Sequence, residues 1–349
     1  MPARTLLLVV AILAACPAAC LGSAWGRDLT VVARGDAMPD ALRHVAAGPF
    51  TAASGIPVKV QSWSGGLDTL RGQLKATDGA WDVVEVNPDE LSVGCSAGLF
   101  EKLDWSTIGG KDHYLAQGVS DCGVGAAITT TVLAWDRDKF PASPSWADFW
   151  DVAKYPGKRG LYKGVRGNLE FALIADGVAP ADVYKTLGTS DGVGRAFRKL
   201  DQLKPYIVWW QTGKDAAHIL SSGDVLMTTA PAGRIVTAGR ATHRDFGIQW
   251  NAGLYEVKSW AIAKGSPDLR QAEQFLYFAG MPALEGKLFE NAGIAGLAKG
   301  ANDGLPPDLQ ASSASYAKNL GAAVQIDTGF WHDNLAKLQQ RFDAWLGAH

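Results

Sequence analysis

Apolar positions along this chain switch repeatedly between two periods. Leu29-Thr30-Val31-Val32-Ala33 is a near-continuous apolar run and predicts a buried strand. From Asp40 to Ala53 the spacing turns helical, and Ser54-Gly55 reads as its stop signal. Pro57-Val58-Lys59-Val60-Gln61 alternates as a strand does, and Gly66 to Ala76 sets Leu67, Leu70 and Leu74 at helical intervals. Trp81 to Val86 predicts a third strand, followed by a helix from Asp89. Such alternation implies parallel strands with right-handed crossovers.

Past Gly123 the pattern changes. Val124 to Trp135 is a long extended run whose Thr129, Thr130 and Thr131 favour a strand, long enough to pass from one domain into another. Ser145 then opens a helix as N-cap, with Asp148 three residues on. A second series follows: strand Gly160-Leu161-Tyr162, a helix from Asn168, helices through residues 180–203, strand Tyr206–Trp210, helix Ala216–Ser221 and strand Val225–Thr229. Phe246–Asn251 and Tyr255–Ala263 predict a pair of strands leading back, and Asp268–Ala279 a helix. A last amphipathic helix, Asp333 to Leu346, carries Leu335, Leu338, Phe342 and Trp345 on one stripe. There is no repeat of fixed period and no low-complexity linker. The reading is two α/β units joined by two extended crossings, with a cleft between them where a ligand usually binds.

The ends and the composition narrow the class. Arg4 followed by the apolar run Leu6 to Ala15 reads as a secretory leader, too short for a membrane-spanning helix. Gly22-Ser23-Ala24 suits cleavage before Trp25, and Leu13-Ala14-Ala15-Cys16 also resembles a lipobox that would anchor Cys16. Removing 24 residues leaves 325 of 349 and moves the formal charge from −2 to about −3. That length favours two cores. That charge gives no basic footprint for nucleic acid and no polybasic membrane patch. Cys16 and Cys20 fall in the leader, so Cys95 and Cys122 remain, most simply as one disulfide in an oxidising compartment. The alternative, a metal site, lacks CxxC spacing and a nearby His cluster.

Several separate stretches, taken in order, resemble the polyamine-type (spermidine/putrescine) substrate-binding proteins of ABC importers. They are Trp81-Asp82-Val83-Val84-Glu85, Gly98 to Asp104, Pro144 to Asp151, Tyr155 to Gly160 and Ser259 to Ser266. Gly94-Cys95 with Asp121 to Gly125 resembles a disulfide-bearing branch of that family. The likeness runs from about Leu29 to Leu346. It implies the type II periplasmic binding protein fold, α/β and two-lobed. Lobe 1 would comprise residues 25–131 and 258–325, lobe 2 residues 132–257, and residues 326–349 a helix packed on the lobes. It further implies a periplasmic monomer that hands a small solute to permease subunits, with no cofactor, no metal and no chemistry on the solute.

The ligand positions depart from the polyamine pattern. Where those proteins carry acids and aromatics, this chain has Arg34, Gly164, Gly167, Pro231, Glu256 and Lys258. Arg34, Arg166, Arg234 and Lys258 are basic, and an Arg fork suits carboxylate or phosphonate oxygens. Ser62 to Gly66 and Gly164 to Asn168 each precede a helix and offer N–H groups to an anion. Asp36, Asp89 and Glu256 could receive an amine. The expected ligand set is Arg34, Gly35, Asp36, Trp63, Ser64, Asn87, Asp89, Arg166, Asn168, Trp210, Arg234, Glu256 and Lys258. The expected solute is a small anion or zwitterion: an amino acid, an ω-amino acid, a carboxylate or a phosphonate. Trp146 and Trp150 read as core, Trp209 or Trp210 as a cleft wall, and Trp331, preceded by Asp327, as reaching the cleft. No catalytic residue is expected. The six His form no HExxH, Ser62 to Gly66 lacks the leading Gly of GxSxG, and Gly123-Val124-Gly125 lacks the rest of a dinucleotide loop.

Overall fold

The computed structural model describes residues 27–75 and 81–347. The leader, Cys16, Cys20 and His349 lie outside the described residues. Nine strands run in chain order: β1 Leu29–Arg34, β2 Val58–Trp63, β3 Val83–Val86, β4 Val124–Asp136, β5 Arg159–Tyr162, β6 Ile207–Trp210, β7 Met227–Pro231, β8 Phe246–Ile262 and β9 Val324–Gln325. The helices of the first half are α1 Ala37–Leu42, α2 Gly48–Ser54, α3 Leu67–Lys75 and α4 Pro88–Ser96; a π-helical turn, Arg43–Ala47, joins α1 to α2. Then come α5 Trp146–Trp150, α6 Asn168–Ala175, α7 Val183–Leu187, α8 Ser190–Leu203, α9 Gly213–Ser221 and α10 Ala232–Thr242. The chain ends with α11 Leu269–Ala279, α12 Pro282–Ala292, α13 Pro307–Ala311, α14 Ala317–Ala322 and α15 Thr328–Gly347. No described helix is long and apolar enough to cross a membrane.

The strands lie in the order β2-β1-β3-β8-β4-β7-β5-β6, with β9 beside β8. β1 is parallel to β2 and β3, and β5 to β6 and β7, as the strand–helix alternation requires. The two long strands β4 and β8 are the extended crossings. Their antiparallel ladder runs from Val124 opposite Trp260 to Asp136 opposite Phe246. One end of β8 pairs with β3 and the far end of β4 pairs with β7, so the two series share one sheet. One expectation needs correction here. Phe246–Asn251 and Tyr255–Ala263 are not two separate strands. They are one strand, both parts paired to β4 across a bulge where Thr131 faces Leu254 and Leu133 faces Gln249. Ala252 in that bulge has φ +57, the left-handed conformation that an inserted residue adopts when the ladder kinks.

Separate apolar cores flank the crossings. β1, β3, the early part of β4 and α11 bury Val31, Val83, Val124, Trp260 and Phe275 together. Trp135, Trp146, Phe149, Trp150, Leu161, Phe171 and Leu200 form the core of the other series. α15 joins this second core through Trp331, Leu338 and Phe342, while Leu335 is 42% exposed and drops out of the predicted stripe. Cys95 and Cys122 form the expected disulfide, tying the end of α4 to the loop before β4. Ser145 and Asp148 form the expected capping box on α5.

α12 is held to the sheet by a buried carboxylate. Glu285 Oε2 accepts the Ala298 N–H at 2.6 Å, just after Ala295 bridges to Ile128 of β4. Burial pushes the Glu285 carboxyl up to about 8, against backbone donation from Ala298 and Leu297 that pulls it down. Between its ordinary value of 4.5 and about 8 the native state therefore holds a proton that the unfolded chain has released. Stability should fall as pH rises across that window. In urea denaturation at pH 5.5, 6.5, 7.5 and 8, Glu285→Gln should flatten this decline; an unchanged pH slope would refute the assignment.

Candidate ligand-binding site

A cavity of about 470 Å³ is lined by the residues that follow β1 and β2, by those that open α10, and by Ala127 to Thr130 of β4. Phe289, Ala292, Gly293 and Ile294 close one side. Six predicted ligand residues line it: Arg34, Gly35, Asp36, Ser64, Arg234 and Lys258. They come from segments far apart in the chain, brought together because β1 and β7 sit on opposite sides of the crossings.

Arg234, in the first turn of α10, donates to Asp36 Oδ1 at 2.5 Å across the cavity. Partial burial pushes the Asp36 carboxyl up, but the Arg234 bond and charge and the Ala37 N–H outweigh it and hold it below its usual value. Arg34 is engaged differently. Its Nη1 donates to both oxygens of Glu90 at 2.8 Å, and its guanidinium lies 5.1 Å from the centre of the Trp63 ring. Trp63 itself is buried, donates through Nε1 to the Glu85 carbonyl, and supports Arg34 from beneath. Gly65 is required at this point: with φ +92, a Cβ there would lie 2.2 Å from the Arg34 guanidinium. Glu85 is fully buried and accepts the Arg34 backbone N–H. Burial pushes the Glu85 carboxyl up, while Lys258 and Arg34 pull it back. The Lys258 ammonium makes no hydrogen bond or ion pair among the described residues, though its charge acts on Glu85.

A smaller cavity of about 190 Å³ gathers Arg166, Asn168, Trp210 and Glu256 with Tyr162 and Phe171. Thr131 lines it, whereas Thr129 and Thr130 line the larger one, so the two are neighbours along β4. Arg166 pairs with Glu256 at 3.0 Å. Asn168 spends its amide donors on the Tyr162 and Gly164 carbonyls, each at 2.7 Å, and so shapes the loop. Asn87 and Asp89 line neither cavity; they open α4, where the Asn87 N–H donates to Glu90.

One donor in each of the two expected anion-binding loops is already engaged. The Gly66 N–H before α3 is taken by Glu90 Oε1, and the Gly167 N–H before α6 by Glu170 Oε2. Internal carboxylates already satisfy these donors. Trp331 does not reach the cleft; its Nε1 donates to the buried Glu170 at 2.7 Å. Trp209 packs on Phe342 and Trp345, leaving Trp210 on the cavity side. The residues that sequence reading missed are Glu85, Glu90 and the α12 segment. Asn87 followed three positions later by Glu90 is a capping-box spacing, so Glu90 was detectable as a cap but not as the partner of Arg34.

This two-sided, charged cavity on a shared sheet is the architecture of a solute receptor. Residues 46–320 match the bacterial extracellular solute-binding protein family, and the chain belongs to it. It is 39% identical over 328 residues to the gamma-aminobutyric acid-binding protein of Pseudomonas aeruginosa, covering 94% of this chain and 93% of the relative. A solved GABA receptor superposes with TM-score 0.80 at 28% identity, covering 93% and 98% of the two chains. An ABC transporter substrate-binding protein from Bradyrhizobium japonicum superposes with TM-score 0.78 at 29% identity, covering 92% and 99%. The spermidine/putrescine protein of Streptococcus pneumoniae shares the fold, with TM-score 0.75, at only 15% identity. The family likeness read from the sequence therefore holds, and the polyamine branch is the distant part of it.

Arg34 side-chain atoms are 17% exposed and those of Glu90 5%, so removing the cation leaves a buried carboxylate unpaired. Arg34→Ala should lower unfolding free energy by about 3 kcal/mol in chemical denaturation. A loss below about 1 kcal/mol would mean the pair is as weak as a surface one.

Proposed function

We propose that this chain is the solute-binding component of an ABC importer, and that its solute is a small zwitterion of the ω-amino acid class, γ-aminobutyrate foremost. The observation that carries this reading is the Asp36–Arg234 pair across the larger cavity. A zwitterion can insert into such a pair and satisfy both ends: its carboxylate takes Arg234 and its ammonium takes Asp36. A diamine would strand Arg234, and a dicarboxylate would strand Asp36. Lys258, whose ammonium makes no hydrogen bond or ion pair among the described residues, adds a second donor to the carboxylate. Arg34, neutralised by Glu90, acts on the ligand through the shape and charge of the wall. Arg166 and Glu256 in the adjoining cavity form a second, self-neutralised pair that can orient the solute's far end. The names of the relatives point the same way.

In this reading residues 25–131 and 258–325 make one lobe, residues 132–257 the other, and the lobes close about β4 and β8. The helix from residue 326 stays with the second lobe, as the burial of Trp331, Leu338 and Phe342 supports. The protein works outside the cytoplasm as a monomer and passes its solute unaltered to permease subunits. A polyamine ligand is the other reading, favoured by the sequence motifs and by fold-level likeness, and disfavoured by the cations in the cavity.

Calorimetric titration with γ-aminobutyrate, putrescine, succinate and butyrate separates these readings. γ-Aminobutyrate should bind most tightly, and Arg234→Ala should weaken it by about tenfold or more, the loss of one charged hydrogen bond. Tighter binding of putrescine or succinate than of γ-aminobutyrate would overturn the zwitterion reading.

A further inference from the structure

We infer that Gly233 and Gly293 select the length of the solute by setting how closely the two sides of the larger cavity approach. The inference rests on the zwitterion reading above. Both glycines line the cavity, Gly233 in the first turn of α10 and Gly293 at the C-cap of α12. Their backbones touch with no side chain between them. A Cβ on Gly233 would lie 2.0 Å from the Gly293 carbonyl oxygen, and one on Gly293 would lie 2.4 Å from the Gly233 oxygen. The next contact along this seam joins the Arg240 guanidinium to the Glu290 carbonyl.

The contact is coupled to the charged pair by the chain itself. Arg234 directly follows Gly233. On the other side α12 packs against α1, where Ala41 and Val45 meet Leu288, and Asp36 caps α1. A change in the α10–α12 spacing therefore changes the distance between Arg234 and Asp36, which are the two ends of the proposed solute site. An added Cβ at Gly233 has to move off the carbonyl by about an ångström or more to reach the 3.0 Å that real contacts keep. An extended chain advances roughly 1.2 Å per bond, so that displacement matches one methylene. The glycine contact thus fits the site to a short ω-amino acid, and a side chain at either glycine would refit it to the next longer one.

The test is calorimetry of the unmodified protein and of Gly233→Ala with γ-aminobutyrate and δ-aminovalerate. Gly233 sits in helical backbone without positive φ, so alanine suits its conformation, and the variant should still fold but melt somewhat lower because the close approach to Gly293 must be relieved. Thermal melting checks this. The unmodified protein should prefer the shorter solute, and the variant should shift the ratio of affinities toward the longer one by about tenfold or more, the usual worth of one methylene. Gly293→Asn supplies an independent Cβ while tolerating the left-handed φ of +67, and should shift the ratio in the same direction. If the unmodified protein prefers the shorter solute and both variants keep its ratio and affinity, the glycine contact does not set length and the inference falls. If the unmodified protein binds neither ω-amino acid, the zwitterion reading fails first and takes this inference with it.

Discussion

The antiparallel ladder between β4 and β8 is the constraint on which the site hangs. These strands of 13 and 17 residues are the only long ones among those described, and each serves both halves of the sheet. Side chains alternate along a strand with period two, so register decides which face each one meets. In the observed register Lys258, opposite Ala127, enters the larger cavity, while its neighbour Val257 packs into an apolar cluster with Phe289 and Leu297. A slip of one residue would bury the ammonium and expose the valine. The Ala252 bulge then turns β8 so that its far part pairs with the same strand beside β7. The turn after β1 and the first turn of α10 are thereby brought to face each other, and the Asp36–Arg234 pair follows from that placement.

The charges around the cavity divide by how costly they are to disturb. Arg34 with Glu90 is a largely buried pair, and removing one partner of such a pair costs several kcal/mol, so a solute gains nothing by breaking it. Asp36 is 66% exposed and Arg234 30%; exposed pairs contribute only about 0–1 kcal/mol, which a well-placed zwitterion easily replaces. The same reasoning explains why the Gly66 and Gly167 N–H groups before α3 and α6 are not offered to a ligand. Glu90 and Glu170 sit beside them in low-dielectric surroundings and need those donors for themselves. Rigid internal neutralisation surrounds one exchangeable contact.

The sequence was most legible where local physics decides. Apolar periodicity located every strand but β9, and the Ser145 and Asp148 spacing located a cap. Two leftover cysteines located a disulfide. It was least legible where a charge meets a partner remote in the chain. Arg34 reads as a ligand donor because it stands where the resembled family carries a ligand aromatic, yet its partner Glu90 lies 56 residues away. Trp331 reads as a cleft residue because a C-terminal segment can reach the cleft, yet its partner Glu170 is 161 residues away. The bulge in β8 was also hidden, because Asn251-Ala252-Gly253 looks like a turn when no ladder is known. Of the thirteen predicted ligand residues, Trp63, at the end of β2, lies buried beneath Arg34, and ten others, from strand ends, helix starts and the middle of β8, reached the cavities. Asn87 and Asp89, placed by their polarity alone, did not.

The contrast between scaffold and solute follows from the same division. Motifs such as Pro144 to Asp151 and Tyr155 to Gly160 are structural: Trp146, Phe149 and Trp150 are core, and Arg159 is buried with its guanidinium on the Phe149, Gly157 and Tyr155 carbonyls. They persist because packing tolerates little change. The groups that would meet a solute lie at strand ends and first turns, where a substitution alters charge without disturbing a core. Where the polyamine pattern has an aromatic and an acid, Pro231 and Lys258 line the cavity, and Lys258 with Arg234 makes that side of the lining positive. Asp36 opposite Arg234 keeps the other sign available. On the proposed reading, changes confined to the lining are enough to fit a cavity of this fold to an ammonium at one end and a carboxylate at the other.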